Sequence, residues 1–410
     1  MAVQTTSNLS NSVRTKYLER YLEAAESVRM YDQFSTPVGQ AGVKEAIDGQ
    51  SPVQVPFLSD IAIGTTTISQ TADVTPVTQR DSVATITPTS RWGAIQWAEA
   101  LDIRAYTNYG EARFKAIGKH QMETVDWLAA VAALQGANLY RAVARASLDA
   151  GTSGHRLGYA QALAIQARLQ GMKCPTFPLE QTGGQSSWMM LAHVDAFYDL
   201  LQDATIQPIG QYHKGDMLLN FELGRIGAFK IVADARAKVF GAAGIDHASI
   251  VATTLASSAT ALATAIVVTT LTNITFGRYL TIGTEETANT WYETNERVMV
   301  SADYSTGTTI NIIGESANSA LRWDHAGAEA VRNADSVYPV AVGSSLSLAK
   351  LFAKEAGPYG EVIGPKVTGL LDQFTSLGWK FYGGYGRWRE GSILRAEVAS
   401  SMDNVSSAFV

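Results

Sequence analysis

The sequence predicts a mixed α+β protein built from several structural units, and three stretches carry that prediction. Residues 110–150 hold the longest helical pattern in the chain. Residues 61–97 are rich in threonine and alternate in the manner of strands. Residues 248–333 contain short strand-like runs separated by turn residues, which predicts a small all-β module. Together these stretches place the chain in the α+β class.

The helical stretch carries a stripe of mostly small residues. Steps of three and four along the chain place them on one side of an α-helix: Met122, Val125, Ala129, Ala132, Gly136, Leu139, Val143 and Ala146. A helix of roughly 35 residues would be about 50 Å long. Because the side chains of the stripe are small, we expect the element that packs against this helix to approach it closely.

The threonine-rich stretch predicts a long β-hairpin. Nine threonines fall between Thr65 and Thr89, and the charged residues there are Asp73, Arg80 and Asp81. We expect a loop over 40–56 and a hairpin tip over 75–82. An isolated two-stranded hairpin is marginally stable in water, so this hairpin needs a surface to lie on. The alternative is an ordinary sheet within the domain.

Composition points to a protein that buries surface between subunits. The chain has 410 residues, and single cores stop growing at about 250–300 residues, so we expect two or three units. Charged residues make up 17% of the chain, below the usual share of about 25%. The net charge of −6 argues against a chain that grips nucleic acid.

Three features of the sequence bear on the cellular compartment of the protein. The single cysteine, Cys174, excludes an intrachain disulfide framework and fits a reducing compartment. The opening MAVQTTSNLSNSVRTK lacks the apolar core of a signal peptide. The most apolar run, Ala261–Thr270, is too short and too rich in threonine to span a bilayer, so we expect no membrane partner.

The remaining elements follow from local patterns. An amphipathic helix is predicted from Ser12 to Pro37, and it packs either on its own domain or on a partner. A second helix has a stripe at Ala162, Ile165, Leu169 and Met172, with Gly171 as its C-cap. Residues 186–247 predict a buried strand, a short helix and a strand pair turning at Gly224. Two closing strands are predicted to turn near 389–391, and the last ten residues are predicted to be disordered.

No pattern of catalytic residues is present, so we predict a protein that is not an enzyme, with no catalytic, cofactor-binding or metal-binding residues and no cofactor. The sequence contains no GxSxG, GxxxxGK[ST], GxGxxG or HExxH motif. His193 and Asp195 offer two metal ligands without a third. His325 lies in a predicted turn, where a hydrogen-bonding role is favoured over a catalytic one. Cys174 has no local base and is expected to be inert.

Two groups of residues allow a binding interpretation beside a structural one. Arg141, Arg145, Arg156 and Arg168 form either a basic patch or a solvated helix face. The run WKFYGGYGRWR, from 379 to 389, fits either a single-strand nucleic-acid surface or an edge strand with outward cations. The glycines at 383, 384 and 386 favour a β-bulge over a phosphate-binding loop.

The order of these parts resembles the major capsid proteins of tailed bacteriophages with the Hong Kong 97 fold, and more narrowly the N-four-like capsid family. The opening SNSVRTKYLERYLEAAESVRMYDQFSTP is similar to the start of that family. The close is similar to its end, in VYPVAVGSSLSLAKL and DQFTSLGWKFYGGYGRWREGSILRAEVASS. The segment LRWDHAGAEAV resembles the end of an inserted β domain that many such proteins carry.

The resemblance implies a set of domains along the chain. These are an N-terminal arm (1–50), an extended β-hairpin loop (51–100), a peripheral domain with a spine helix (101–180), an axial α/β domain in two parts (181–247 and 332–375), an inserted all-β domain (248–331), and peripheral closing strands with a tail (376–410). No long charged scaffolding segment precedes the arm, so a separate scaffold, or none, is expected.

The resemblance also implies a function. It predicts a structural protein that assembles with itself, as hexamers and pentamers, into an icosahedral virion shell in the host cytoplasm. Its expected partners are other copies, packaged double-stranded DNA without sequence specificity, the portal, and scaffolding or decoration proteins. The low charge fits a container that must not condense onto its DNA. Two alternatives remain, an encapsulin-type cargo compartment and a tail or adhesin protein that binds through the 248–331 module.

Overall fold

The computed structural model describes most of the chain between residues 30 and 403. The described residues are 30–37, 52–59, 61, 63–64, 76, 78–98, 109–177, 186–203, 205, 222–226, 228–245, 253–270, 274, 276–286, 292, 294–304, 307–314, 320–344, 346–353, 357–368 and 373–403. Residues 12–29 of the helix predicted from Ser12 to Pro37 lie outside them, as do most of the predicted hairpin tip and residues 404–410. The end of that helix prediction is wrong, because Asp32–Phe34 form a 3₁₀ turn and Ser35–Pro37 a strand. The chain divides into two compact units. Unit 1 is Met1–Ala132 with Leu346–Arg389, and unit 2 is Ala133–Ser345 with Glu390–Val410.

The described residues form three α-helices and nineteen strands. The helices are α1 (Tyr109–Leu134), α2 (Tyr159–Gly171) and α3 (Val194–Gln202). The strands are β1 (Ser35–Pro37), β2 (Val53–Leu58), β3 (Asp81–Ile86), β4 (Thr89–Ala98), β5 (Leu139–Tyr140), β6 (Trp188–Ala192), β7 (Glu222–Ile226), β8 (Phe229–Ala233), β9 (Thr253–Thr254), β10 (Ala265–Val267), β11 (Tyr279–Ile282), β12 (Glu296–Val300), β13 (Thr309–Gly314), β14 (Ala330–Arg332), β15 (Tyr338–Gly343), β16 (Leu348–Phe352), β17 (Glu361–Thr368), β18 (Phe374–Arg387) and β19 (Ile393–Val398).

Unit 1 is a helix packed on a sheet, with a separate two-stranded hairpin. The sheet has the order β1-β16-β18-β17, and β4 also pairs with β18. Alternate residues of β18 point to one face, so Leu377, Trp379 and Phe381 are buried together with residues of α1. The hairpin is formed by β2 and β3, which pair antiparallel from Val53 opposite Ile86 to Leu58 opposite Asp81.

Unit 2 contains an α/β layer built on a sheet of order β5-β19-β15-β6-β8-β7. Every residue of β6 and of β8 is buried, as expected for parallel strands inside a sheet. The core combines one face of this sheet with the inner residues of α2 and α3. The predicted stripe of α2 is confirmed at Ala162, Ile165 and Leu169, which are buried.

Unit 2 also contains an antiparallel six-stranded sheet between residues 253 and 332, in the order β10-β13-β12-β11-β14-β9. The strand-like runs in this sequence, at 265–271, 278–282, 296–302 and 308–313, correspond to β10, β11, β12 and β13. The buried apolar residues that form the core of this sheet come from its own segment, between Leu255 and Val331. The prediction of an all-β segment is therefore confirmed.

The long helix was predicted to reach residue 150, and that prediction is wrong. Helix α1 ends at Leu134. The Glu390 carboxylate accepts the backbone N–H of Ala137 at 2.5 Å, and the Arg395 guanidinium donates to the carbonyl of Leu134. Residues 139–140 then pair in parallel with β19. These long-range contacts draw the chain after α1 into the sheet edge, which helical periodicity could not reveal.

The hairpin exists, but its predicted limits are wrong. The loop predicted over 40–56 contains the start of β2, and Asp81 and Ser82, placed at the tip, lie in β3. Strand β4 leaves the hairpin and pairs with β18 along ten residues. The pairing partner of β3 is the run VQVPFL, whose proline and short length weaken its strand signal.

Four further local predictions need correction. The β7–β8 turn lies between Ile226 and Phe229, beyond Gly224. Helix α2 ends with Lys173 at positive φ, so Gly171 is not the left-handed cap. Strands β18 and β19 lie in different sheets and do not pair with each other. Residues 401–403, which were predicted to be disordered, form a turn that is held by side-chain hydrogen bonds.

Candidate functional site

The hairpin of unit 1 presents large apolar side chains to solvent. Leu58 is 73% exposed and Val83 48% exposed, and they lie on β2 and β3. Beyond Leu58, Ile61 is 57% exposed and Ile63 is 89% exposed. A cluster of exposed apolar residues on one projecting element is typical of an interaction surface. We call these four residues the hairpin surface.

The base of the hairpin is seated in a hollow made by glycines of β18. Ile86, at the end of β3, is 1% exposed and packs with Ala349, Leu351 and Trp388. A Cβ on Gly386 would lie 2.7 Å from Cγ1 of Ile86. The pairing of β18 with β16 is regular through residues 383–387, so the predicted bulge there is wrong. Glycine is needed here because the hairpin base approaches the strand closely.

A carboxylate of α1 holds the YDQF segment of the arm. Oδ1 of Asp126 accepts the backbone N–H groups of Met30, Tyr31 and Asp32 at 2.9, 2.7 and 2.9 Å. Burial raises the pKa of Asp126 to about 6, although the three N–H groups act to lower it. Downstream, β1 pairs in parallel with β16. The arm is thus fixed at the start of its described part by one half-buried carboxylate of α1.

A buried acid of the arm itself, Asp32, meets a lysine. Nζ of Lys350 lies 2.5 Å from Oδ1 of Asp32, and the hydroxyl of Tyr385 donates to the same oxygen at 2.5 Å. The side chains of Lys350 and Asp32 are 4% and 2% exposed. Nζ of Lys350 also lies 4.4 Å from the centre of the Tyr359 ring. We call Asp32, Lys350, Tyr385 and Asp126 the arm clamp.

In unit 2, the residues considered as metal ligands lie in a salt-bridge network. The Arg297 guanidinium lies 3.3 Å from Asp195 and 3.4 Å from Asp403, and it donates to the hydroxyl of Tyr338 at 2.6 Å. Burial acts to raise the pKa of Asp195, but the His193 and Arg297 contacts outweigh it and lower the pKa to about 2. Within the described part of the chain, no three metal-ligating side chains form a cluster.

His325 has the hydrogen-bonding role predicted for it. Its ring lies between two carboxylates, with Nδ1 2.8 Å from Glu329 and Nε2 3.3 Å from Glu296. The hydrogen bond to Glu296 is the main cause that raises the pKa of His325, and Glu329 adds to it. Glu296 also accepts the backbone N–H groups of Arg322 and Trp323. The trio therefore ties a turn to the six-stranded sheet.

The predicted basic groups have structural roles in their units. Arg141 and Arg145 both face the buried carboxylate of Glu397, at 3.6 and 2.5 Å, and Arg156 donates to the carbonyl of Ala150. Arg141 lies outside the helices and Arg145 begins a single 3₁₀ turn, Arg145–Ser147. Because both side chains pair with a buried carboxylate, the solvated helix face is wrong for them.

The aromatic run belongs to β18, which pairs on both sides. Trp379 and Phe381 are buried in the core, so it is not an edge strand. Cys174 is buried, with Sγ 3.5 Å from the carbonyls of Pro175 and Ser392.

Sequence reasoning missed Asp126 and Lys350. Each interrupts an apolar run, Asp126 between Val125 and Trp127, and Lys350 in the strand sequence LAKLF. Buried charged residues are almost always paired, so these interruptions were the available signal. Their partners lie 94–96 and 318 positions away along the chain, and no local pattern identifies them.

Comparison with known proteins identifies the fold. No protein-family model matches the chain, and no curated protein matches it. The capsid of Ralstonia phage GP4 aligns with a TM-score of 0.51 at 8% identity, over 87% of each chain. The capsid of cyanophage P-SCSP1u gives 0.49 at 11% identity, over 91% of this chain and 89% of that chain. The asymmetric unit of the cyanophage Pam1 capsid gives 0.48 at 9% identity, over 85% of each chain.

The match to the GP4 capsid shows that this chain has the fold of a bacteriophage capsid protein. The mixed α+β class and the resemblance to the fold of phage capsid proteins are thereby confirmed, whereas the narrower N-four-like family stays a prediction. In the described part of the chain, no helix is both long enough and apolar enough to cross a membrane.

Proposed function

We propose that this chain is the major capsid protein of a tailed bacteriophage, assembling as hexamers and pentamers into an icosahedral shell around double-stranded DNA. The fold shared with the GP4 capsid supports the class of protein. The single observation that carries the proposal for this chain is the hairpin surface, where Leu58 and Ile63 are 73% and 89% exposed. A monomer gains nothing from such side chains, whereas a neighbouring copy can cover them.

The energies favour this use of the hairpin. Full burial of a Val, Leu or Ile side chain contributes about 1.5–3 kcal/mol, so the four residues of the hairpin surface make a substantial contact. The low charged fraction of 17% fits the same design, because surface that becomes subunit interface is depleted of charge. Contacts in which a hairpin meets a different patch on the next copy are heterologous and close into rings by symmetry.

The proposal gives each segment a role. Residues 1–50 are the arm, 51–100 the extended loop, 101–180 the peripheral domain with α1 as its spine, 181–247 the axial domain, and 248–331 an inserted β domain. Residues 332–345 complete the axial domain, and residues 376–410 complete the peripheral domain. Because 346–389 form one compact unit with α1, we place those strands with the peripheral domain. The proposed partners are other copies, packaged DNA, the portal, and scaffolding or decoration proteins, and the proposed location is the virion.

Electron microscopy of the purified protein tests the hairpin directly. Replacing Leu58 and Ile63 by serine is expected to abolish hexamers, tubes and shells, because the two side chains would no longer be buried by a neighbour. Both residues are exposed, so the stability of the isolated chain is expected to change by no more than about 0.5 kcal/mol per substitution.

Leu262 supplies a matched control. It is apolar and 66% exposed, but it lies outside the hairpin and has φ of 70°. Leu262→Asn, a residue that tolerates this φ, is expected to assemble like the parent. Normal shells from the double serine variant would contradict the role of the hairpin. Nuclease-protected DNA inside particles would separate a viral shell from a cargo compartment, and a parent that never assembles would favour the binding-protein alternative.

A further inference from the structure

The arm clamp contains the groups needed to form an amide bond. Nζ of Lys350 contacts a carboxyl oxygen of Asp32 at 2.5 Å, with both side chains almost fully buried. The rings of Tyr359 and Tyr385 lie 4.4 and 5.5 Å from Nζ. The buried amine is held against a carboxyl group, and aromatic rings exclude water from the pair. Condensation to an amide requires both conditions.

We propose that Lys350 and Asp32 form an isopeptide bond within the chain, which covalently fastens the arm to β16. The inference is independent of the proposed function, since it concerns one chain only. An ion pair without a covalent bond is the competing state. Burial of two charges is costly even when they are paired, whereas an amide carries no net charge. The amide therefore avoids the free-energy cost of burying two charges, which the ion pair retains.

The reaction balances without any added reagent. One proton first passes from the ammonium of Lys350 to the carboxylate of Asp32, giving an amine and a carboxylic acid. The Nζ lone pair then attacks Cγ of Asp32, and a C–N bond forms. The tetrahedral intermediate loses the acid hydroxyl as water, which takes up a proton released by the amine. No atom is oxidised or reduced, and one water molecule leaves.

Two further residues of the arm clamp have distinct roles. The Tyr385 hydroxyl donates to Oδ1 of Asp32 at 2.5 Å, so it can stabilise the negative charge that develops on that oxygen during attack. Tyr385 is therefore a catalytic residue of this step. Asp126 holds the backbone N–H of Asp32 at 2.9 Å and acts as a positioning residue, because it fixes the backbone that carries the reacting carboxyl group.

Mass spectrometry of the purified full chain tests the proposal. A tryptic digest of the denatured parent is expected to contain a branched peptide that joins residues 30–44 to residues 333–354, lighter by one water than the sum of its parts. Cleavage after Lys350 is expected to be lost. Recovery of residues 30–44 and 333–350 as linear peptides in full yield would overturn the proposal, and this result needs no variant.

Controls within the same chain and in variants sharpen the test. Lys238 and Glu286 are also 2.5 Å apart, but the lysine side chain is 21% exposed, so this pair is expected to stay unlinked. Lys350→Arg keeps a positive charge without an amine and is expected to give linear peptides. Asp32→Asn is expected to give the same branched peptide with loss of ammonia. Tyr385→Phe is expected to slow bond formation about a hundredfold, and an unchanged rate would remove its catalytic role.

Discussion

At the scale of single residues, buried charges in this protein are matched by partners far away in sequence. Asp126 binds three backbone N–H groups, Asp32 binds Lys350, and Arg297 joins Asp195 to Asp403. A buried charge without a partner would cost several kcal/mol. These residues therefore fix which segments can meet, and a substitution at one of them affects a distant segment as much as its own.

His325 makes the stability of unit 2 dependent on pH. Its folded pKa is raised above the ordinary value of 6.5 by Glu296 and Glu329, so folding favours the protonated ring. The resulting stabilisation is fully present below pH 6.5 and is lost as the pH rises through the higher folded pKa. Thermal unfolding between pH 5 and 9 is expected to show a falling advantage of the parent over His325→Gln.

A conservative change at one carboxylate provides the check on this prediction. Glu329→Gln removes one of the two charges that raise the pKa of His325, so the loss of stability is expected at lower pH than in the parent. An advantage of the parent that stays constant from pH 5 to pH 9 would mean that the charge of His325 contributes nothing to folding.

At the scale of secondary-structure elements, local sequence patterns predicted which helices and strands exist better than they predicted which strands pair. Helix α3 and strand β13 were predicted from short runs because their burial follows their own periodicity. Strand β6 was predicted from a continuous apolar run, and all of its residues are buried. The pairing of β2 with β3 and the separation of β18 from β19 were not predicted. Pairing depends on contacts between distant segments, and many partners satisfy the same alternation.

The candidate site shows the same limit. The hairpin was predicted from its threonine-rich, nearly uncharged sequence, and its need for a covering surface followed from the weakness of an isolated hairpin. Its register, the glycine hollow and the arm clamp were not predicted. The glycines at 384 and 386 are visible in the sequence, but the reason for them is not. Gly386 lies against Ile86 and Gly384 against the backbone of Thr87, both about 300 positions away along the chain.

The glycine hollow predicts a steric coupling between the hairpin base and β18. A Cβ at Gly386 would lie 2.7 Å from Cγ1 of Ile86, so Gly386→Ala is expected to destabilise the chain by about 1–3 kcal/mol. Ile86→Ala empties the same space. The double variant is therefore expected to be less destabilised than the sum of the two single variants, as chemical denaturation can measure.

Gly391 is a suitable control for this pair, because a Cβ there would meet no atom within 4 Å. Gly391→Ala is expected to leave stability near that of the parent. Strict additivity of Gly386→Ala and Ile86→Ala would show that the two residues do not share one space, and the hairpin base would then need another anchor.

At the scale of the whole molecule, the sheets of unit 2 are joined by the end of the chain. Asp403 accepts the hydroxyl of Tyr338 on β15 at 2.7 Å and contacts Arg297 on β12 at 3.4 Å. Just before it, Ser401 binds the carboxylate of Asp199 on α3. The last described turn therefore links the six-stranded sheet to the α/β layer. The Asp403 carboxylate in this turn helps to fasten the 253–332 segment to the rest of unit 2.

Two truncations of different length test whether the last described turn holds the six-stranded sheet to the rest of unit 2. Removing residues 401–410 takes the Asp403 carboxylate away from Arg297 and from the hydroxyl of Tyr338, both of which keep their contacts with Asp195, so thermal unfolding is expected at lower temperature, with a loss of about 1.5–3 kcal/mol. Removing residues 404–410 keeps every one of these bonds, and parent-like unfolding is expected. Because hydrogen exchange reports local opening, faster exchange in β11 and β12 of the longer truncation would show that the six-stranded sheet has been released. Equal unfolding temperatures for the two truncations would mean that the sheet is held by its own core and its remaining salt bridges, and that the chain end follows the fold without stabilising it.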